Sequence, residues 1–227
     1  MAHHKPVGKQ RWNSAQKYFA ASLGLNQAEH VNIIRMVRRA KRRYMPYIRP
    51  VTEHLNADSK ILEMGCGPTC VAQFITEGKH TYMDPLLDDY RRAWPGSLPK
   101  GNFITGMAER SQLSDAYFDR ILCIRTISHT QNPELVMHEV ERLLKTDGIF
   151  IMSVDLWPLM FARLHCLTAK FFPQWVLNNR LYCYTRRGIE HTLLRHFDIQ
   201  SARRIPIRSW FTLKEEWLYI CTRKSAK

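Results

Sequence analysis

A chain of 227 residues, 45% hydrophobic and 11% aromatic, is long enough to bury a core of its own, which excludes a disordered or fibrous polymer. Six cysteines scattered through apolar runs read as reduced thiols, and neither an apolar leader nor an apolar run of about 18 residues is found, so a cytoplasmic protein without a membrane span is expected. The net charge of +14 is uneven, with +8 on residues 1–58, −3 on residues 59–155 and +9 on residues 156–227, so the two flanks favour anionic partners or simply form a solvated face.

Residues 1–13 read as a flexible basic arm. From about Asn26 to Tyr44, Val31, Ile34, Val37 and Met45 recur on one side of a helix. Arg35, Arg38, Arg39, Arg42 and Arg43 occupy the other side, and Pro46 and Pro50 are expected to break the helix. These arginines form either an ordinary solvated face or an anion-binding rim beside an active site. At Ser59 the texture changes to alternating strand and helix signals, which implies βαβ units and a parallel sheet. Lys60–Met64 reads as a strand, followed by a Gly65-Cys66-Gly67-Pro68 turn and a helix through about Glu77. Further strands are expected at Thr81–Met83, Asn102–Thr105 and Arg120–Ile124, the last entered through a turn at residues 115–119. Pro133–Leu144 is a helix with Leu135, Val136, Val140, Leu143 and Leu144 as its apolar face, and Asp147-Gly148 turns into a strand at Ile149–Val154. The stretch from Asp155 to Tyr184 is irregular and aromatic, with Pro158 and Pro173 interrupting it. Thr185 can cap a helix running to about His196, and strands follow at Phe197–Ile205 and Glu216–Thr222. Asp88-Asp89 is the polar start of a surface helix.

A strand that ends in a glycine-rich turn and runs into a helix lets backbone N–H groups approach a ligand closely. Nicotinamide and flavin dehydrogenases use the same device, so an NAD-dependent oxidoreductase is one reading, and a turn without a ligand is another. Three details shift the balance. Glu63 stands two positions before the first glycine, where it would face a cationic amino group rather than a pyrophosphate. Cys70 stands where the dinucleotide fingerprint needs its third glycine. Asp84 ends the second strand, where a carboxylate can accept both ribose hydroxyls.

With these motifs the chain resembles the class I S-adenosylmethionine-dependent methyltransferases of the methyltransferase-11 type, over about residues 58–155 and more loosely to residue 227. The resemblance rests on Glu63-Met64-Gly65-Cys66-Gly67, on Asp84-Pro85, on Gly106-Met107-Ala108-Glu109, on Phe118-Asp119, on Ile127 through Pro133, and on Leu144 through Gly148. It implies a Rossmann-like, doubly wound, mostly parallel seven-stranded sheet with an antiparallel C-terminal strand, spanning residues 58–227. An N-terminal basic helical cap over residues 1–57 and an aromatic lid inserted at about residues 156–184 complete the expected architecture. It further implies that Glu63, Gly65, Cys66, Gly67, Asp84, Pro85, Met107, Ala108, Ile124 and Arg125 hold S-adenosylmethionine, with S-adenosylhomocysteine as product. Met107 replaces an aspartate that often bonds the adenine in relatives, so the adenine would be held by backbone groups and apolar packing. Ser128 replaces the first histidine of a family pair, so a non-catalytic S-adenosylmethionine-binding protein is a further reading.

A hydroxyl acceptor needs a general base, and His129, in the loop after the fourth strand, is the candidate; the alternative is a histidine that packs at the start of the next helix. Asp155, His165, Tyr182 and Tyr184 follow the fifth strand and are unranked contacts for the acceptor. Cys66-x-x-x-Cys70 has no second Cys/His pair at zinc spacing, so no metal site is expected, and the lack of a Gly-x-Ser-x-Gly elbow excludes a serine hydrolase. Trp157, Phe161, Phe171, Phe172 and Trp175, with Arg163 and Lys170 among them, suit an anionic small molecule, sugar or glycan as acceptor. The same aromatics could instead dock on an anionic membrane or fill the core, and net charge alone also admits nucleic acid.

Overall fold

The computed structural model describes residues 6–23, 32–164, 181–206 and 213–224. Its strands are β1 (Lys60–Met64), β2 (Lys79–Asp84), β3 (Asn102–Thr105), β4 (Phe118–Ile124), β5 (Leu144–Leu156), β6 (Phe197–Ile205) and β7 (Glu215–Arg223). They form one sheet in the order β3-β2-β1-β4-β5-β7-β6, in which β7 alone runs antiparallel to its neighbours. The expected Rossmann-like sheet is present, including its antiparallel C-terminal strand.

The central strands are apolar at nearly every position because helices and loops cover both faces. Leu62, Met64, Ile121, Cys123, Phe150 and Met152 point to one side, where helices α4 (Pro133–Leu143) and α5 (Arg186–His196) supply Val136, Val140, Ile189 and Leu193. Ile61, Tyr82, Leu122, Ile151 and Leu218 point to the other side, where α2 (Ile33–Ile48) supplies Ala40, Tyr44 and Ile48. Asn132 accepts from the Glu134 N–H at 3.1 Å and Thr185 from the Gly188 N–H at 3.2 Å, so the sheet-facing helices begin on side-chain caps. Asp119 secures the start of β1, its Oδ2 accepting from the Lys60 N–H at 2.7 Å and its Oδ1 from Lys145 Nζ at 2.7 Å.

Several expectations need correction. The helix expected after Gly67 is replaced by two short 3₁₀ segments, Gly67–Thr69 and Val71–Phe74, with left-handed Cys70 (φ 40°) between them. Of residues 1–13, assigned to a flexible arm, residues 9–13 belong to helix α1 (Lys9–Ser22). Pro46 lies inside α2 and does not end it, and Ile34, expected on the packed stripe, is 61% exposed. The inward face of α2 is Ala40, Tyr44 and Ile48, four residues apart, and Val31 falls outside the described residues. Asp147-Gly148 makes no separate turn; β5 begins at Leu144, and its pairing with β4 shifts register between Phe118 and Arg120. Helix α3 (Leu87–Ala93) carries Asp88 and Asp89 in its first turn, as expected. Most of the anticipated lid, residues 165–180, lies outside the described residues.

Candidate active site

The carboxyl ends of β1, β2, β4 and β5 converge on a cavity of about 480 Å³, within the range of about 300–1,000 Å³ usual for small-molecule sites. It sits where β1 has β2 on one side and β4 on the other, the switch point at which open α/β sheets bind ligands. β1 and its turn bring Glu63, Gly65, Cys66 and Gly67 to the wall, and the end of β2 brings Asp84 and Pro85. The loop after β3 brings Met107 and Ala108, and the end of β4 brings Ile124 and Arg125, with His129 a turn later. All the residues expected to hold the cofactor, and the candidate base, therefore meet in one place.

The turn after β1 depends on backbone that ordinary residues avoid. Gly65 (φ +67°) and Gly67 (φ +54°) are both left-handed, but their surroundings differ. A Cβ on Gly65 would overlap the Thr126 side chain, whereas a Cβ on Gly67 would meet nothing within 4 Å, so a ligand can approach the Gly67 backbone closely. Asp84 holds this turn open. Its Oδ2 accepts from the Gly67 N–H at 2.9 Å and its Oδ1 from the Leu86 N–H at 2.9 Å. The Tyr90 hydroxyl also reaches this carboxylate, and the lone pairs beyond these donors face the cavity, where they suit a ribose hydroxyl. Burial pushes the Asp84 carboxyl above its usual range, while the Leu86 and Gly67 amides pull it down.

Glu63 has a role the sequence did not indicate. Its carboxylate accepts from the Val71 N–H at 3.0 Å and the Ala72 N–H at 2.7 Å, so it caps the 3₁₀ segment as well as lining the cavity. Burial pushes its carboxyl up to about 8 against the pull of those two donors. A folded-state value above the unfolded one means that the native protein binds the extra proton, so the contribution of Glu63 to stability is full below about 4.5 and lost as pH rises to about 8. The urea midpoint of the ligand-free protein is therefore expected to fall between pH 5 and pH 8, and this component should vanish in Glu63→Gln. An identical pH slope in the two proteins would refute this assignment. Cys66 and Cys70 are both buried, and the hydrogen bond from Cys70 together with burial pushes the Cys66 thiol well above its usual value, so Cys66 is not poised as a nucleophile.

The rest of the cavity is built by elements the sequence did not connect to it. Trp12, Gln16 and Phe19 lie on one side of α1 by their helical spacing. The Trp12 indole and the Gln16 amide donate to the His129 carbonyl at 3.2 and 3.3 Å, and the Phe19 ring lies 5.5 Å from the His129 ring. The base candidate thus stands at the cavity edge under an aromatic cover. Glu109, in the element resembling Gly-Asp-Ala-Glu, accepts from the Gln131 and Asn132 N–H groups and clasps the same loop. From α2, Arg39 and Arg43 reach the cavity, whereas Arg35, Arg38 and Arg42 line a separate outer hollow, so the anion-rim reading applies to two of the five arginines.

The floor beyond β5 is a buried charged cluster. Glu216, 1% exposed, is paired with Arg43, whose Nε donates at 2.8 Å, and it accepts from the Tyr44 hydroxyl at 2.8 Å and the Ser153 hydroxyl at 3.1 Å. Burial first, and Glu216 second, push the Tyr44 phenol far above its ordinary range, so it stays a donor. Asp155 accepts from Arg125 and from Lys214 at 3.2 Å each. Arg125 itself is left-handed (φ 57°), a conformation that costs a non-glycine residue about 1 kcal/mol or more and that concentrates at functional sites. Burial draws its guanidinium down, but Asp155 and Tyr44 more than restore it. Of the residues expected to contact an acceptor, Asp155 lines the cavity. Tyr182 and Tyr184 do not: both pack in the core on the α4 side, the Tyr182 hydroxyl donating to the Gln131 carbonyl at 2.8 Å. His165 lies outside the described residues.

Residues 62–152 match the methyltransferase domain family. YrhH of Bacillus subtilis (strain 168), which carries a methyltransferase name, is 28% identical over 117 residues, covering 45% of this chain and 65% of that protein. Thiol S-methyltransferase TMT1B of Rattus norvegicus is 31% identical over 97 residues, 39% of each chain, and the ubiquinone biosynthesis O-methyltransferase of Rickettsia bellii is 26% identical over 139 residues, 58% of each. The chain thus spans between 39% and 65% of the length of these curated relatives. Among solved structures, the fold is shared with geranyl diphosphate C-methyltransferase from Streptomyces coelicolor A3(2) in complex with Mg2+, geranyl diphosphate and S-adenosyl-L-homocysteine (TM-score 0.66, 9% identity, 97% of this chain and 100% of that one). It is also shared with the YcgJ protein of Bacillus subtilis (TM-score 0.59, 15% identity, 78% and 97%).

Proposed function

We propose, from a chain whose residues 62–152 belong to the methyltransferase domain family, that it transfers a methyl group from S-adenosylmethionine to an anionic acceptor. One observation carries this reading. A single cavity joins the open Gly67 turn and the Asp84 carboxylate at one end to Arg39, Arg43, Arg125 and Lys214 at the other. The residues fit the cofactor. Asp84 offers a cavity-facing carboxylate for the ribose, the Gly67 backbone leaves room for close approach, and Met107, Ala108 and Ile124 give an apolar wall for the adenine. When bound, S-adenosylmethionine supplies an electrophilic sulfonium methyl, so the protein's task is placement of the nucleophile and exclusion of water. Trp12 and Phe19 help to exclude water.

The acceptor end holds four cations against Asp155 and Glu216, an excess suited to a phosphate, carboxylate or similar anion on a small molecule, sugar or glycan. That the matched relatives are named for S- and O-methylation favours a thiol or hydroxyl acceptor, whose proton His129 would take. Methyl transfer from labelled S-adenosylmethionine into a cell extract, fractionated into small-molecule, glycan, lipid and RNA pools, identifies the acceptor. Label confined to a neutral pool, or none in any pool while the cofactor binds, would refute the anionic-acceptor reading. With the acceptor in hand, Arg39→Ala is expected to raise its KM roughly tenfold, the value of a charged hydrogen bond, and to leave the affinity for S-adenosylmethionine unchanged. An unaltered KM would remove Arg39 from the acceptor site. Cytoplasmic placement belongs to the same proposal; no helix among the described residues is long and apolar enough to cross a membrane.

A further inference from the structure

Away from this cavity, Glu134, His138 and Glu141 share one face of α4 by their three- and four-residue spacing, and His196 ends α5 against them. A ring nitrogen of His138, a ring nitrogen of His196 and a carboxylate oxygen of Glu134 lie within 4.8 Å of one another. Among the described residues this is the grouping of metal-ligating side chains that comes this close. His196 is 6% exposed, and both of its ring nitrogens face carboxylates: Nε2 lies 2.9 Å from Glu134 Oε1 and Nδ1 lies 3.0 Å from Glu141 Oε2. Nε2 of His196 and Oε1 of Glu134 thus present two ligand atoms side by side, and the His138 ring brings a third within reach.

The His138 ring stands edge-on to the His196 ring, 4.5 Å between centroids and 81° between planes. The neighbouring charges also divide in a useful way. Glu141 can take the Nδ1 proton of His196 and aim its Nε2, the usual carboxylate–histidine–metal relay. Arg195 pairs with Oε2 of Glu134 and leaves Oε1 toward the His196 ring.

We propose that Glu134, His138 and His196 form a binding site for a divalent first-row metal ion of the zinc type, with Glu141 and Arg195 orienting the ligands and water completing the coordination. Two imidazoles and one carboxylate are a zinc donor set. The sequence alone predicts no such centre because the two helices that supply the donors are distant in the chain. When occupied, the site ties α5 to α4, the helix that follows directly on the loop bearing His129.

The test is a titration of chelator-stripped protein with zinc chloride, with retained zinc measured by mass spectrometry after gel filtration and Tm followed in parallel. Wild type is expected to retain about one equivalent and to gain Tm on zinc addition, because a metal that binds only the folded chain stabilises it. His138→Ala and Glu134→Gln should weaken binding roughly tenfold or more and lose the gain in Tm. The His138 side chain is exposed, so its removal leaves the core intact. Zinc retained equally by wild type and both variants would place the ion elsewhere, and no retained zinc in wild type would show that the cluster holds no metal; either result overturns the proposal.

Discussion

Replacing Gly65 by alanine is expected to destabilise the protein by about 3 kcal/mol and to abolish cofactor binding. The left-handed backbone at this position (φ +67°) costs an alanine about 1–2 kcal/mol, and the added methyl overlaps Thr126, an overpacking worth about 1–3 kcal/mol. Thr126 cannot simply swing aside, because its one hydroxyl proton is shared between the Gly65 carbonyl at 3.0 Å and the Ile124 carbonyl at 3.2 Å, joining the turn after β1 to the end of β4. Gly67→Ala is the matched control. Its Cβ meets no protein atom within 4 Å, so it should cost only about 1 kcal/mol of stability while still weakening cofactor binding by placing a methyl group in the cavity. Urea unfolding of the two variants decides the matter. A Gly65→Ala protein as stable as Gly67→Ala would refute the Thr126 contact, and Thr126→Gly in the Gly65→Ala background should restore part of the loss.

The second large effect is expected at Asp84. Asp84→Ala leaves the Gly67 and Leu86 amides without their charged acceptor and removes the groups offered to the ribose. With hydrogen bonds to charged groups worth about 1.5–3 kcal/mol each, the affinity for S-adenosylmethionine should fall about 10²-fold, and Asp84→Asn, which keeps an acceptor oxygen, should lie in between. Calorimetry reads this directly. Unchanged affinity would place the ribose elsewhere, and tight NAD(H) binding with no response to S-adenosylmethionine would overturn the cofactor assignment itself.

The cofactor half of the cavity was legible in the sequence because it is built from local signals. Glu63, Gly65 and Gly67 sit in one strand-turn segment, and Asp84 marks the end of the next strand, so strand position alone places them at the same edge of a parallel sheet. The helix expected after Gly67 failed for a local reason with a tertiary cause. Cys70 is left-handed, and the buried Glu63 carboxylate caps the Val71 and Ala72 amides, so the backbone forms two 3₁₀ turns. The start of α1, residues 9–13, was read as part of an arm because its basic residues masked a weak apolar stripe. The helical spacing of Trp12, Ala15, Phe19 and Leu23 was the signal that could have exposed it.

By itself the sequence determined the order of the strands, their apolar character and the residues of the turn where a cofactor would lie, because these follow from periodicity and from short-range backbone chemistry. What only the tertiary structure decided is what stands opposite that turn. Pairing of β7 between β5 and β6 carries Glu216 into the floor against Arg43 of α2, and α1 lays Phe19 beside the His129 ring. Joining α4 to α5 likewise brings His138 to His196. None of these pairs has a sequence spacing to read. Each exists because burying the sheet's two apolar faces folds distant charged and aromatic residues onto one another.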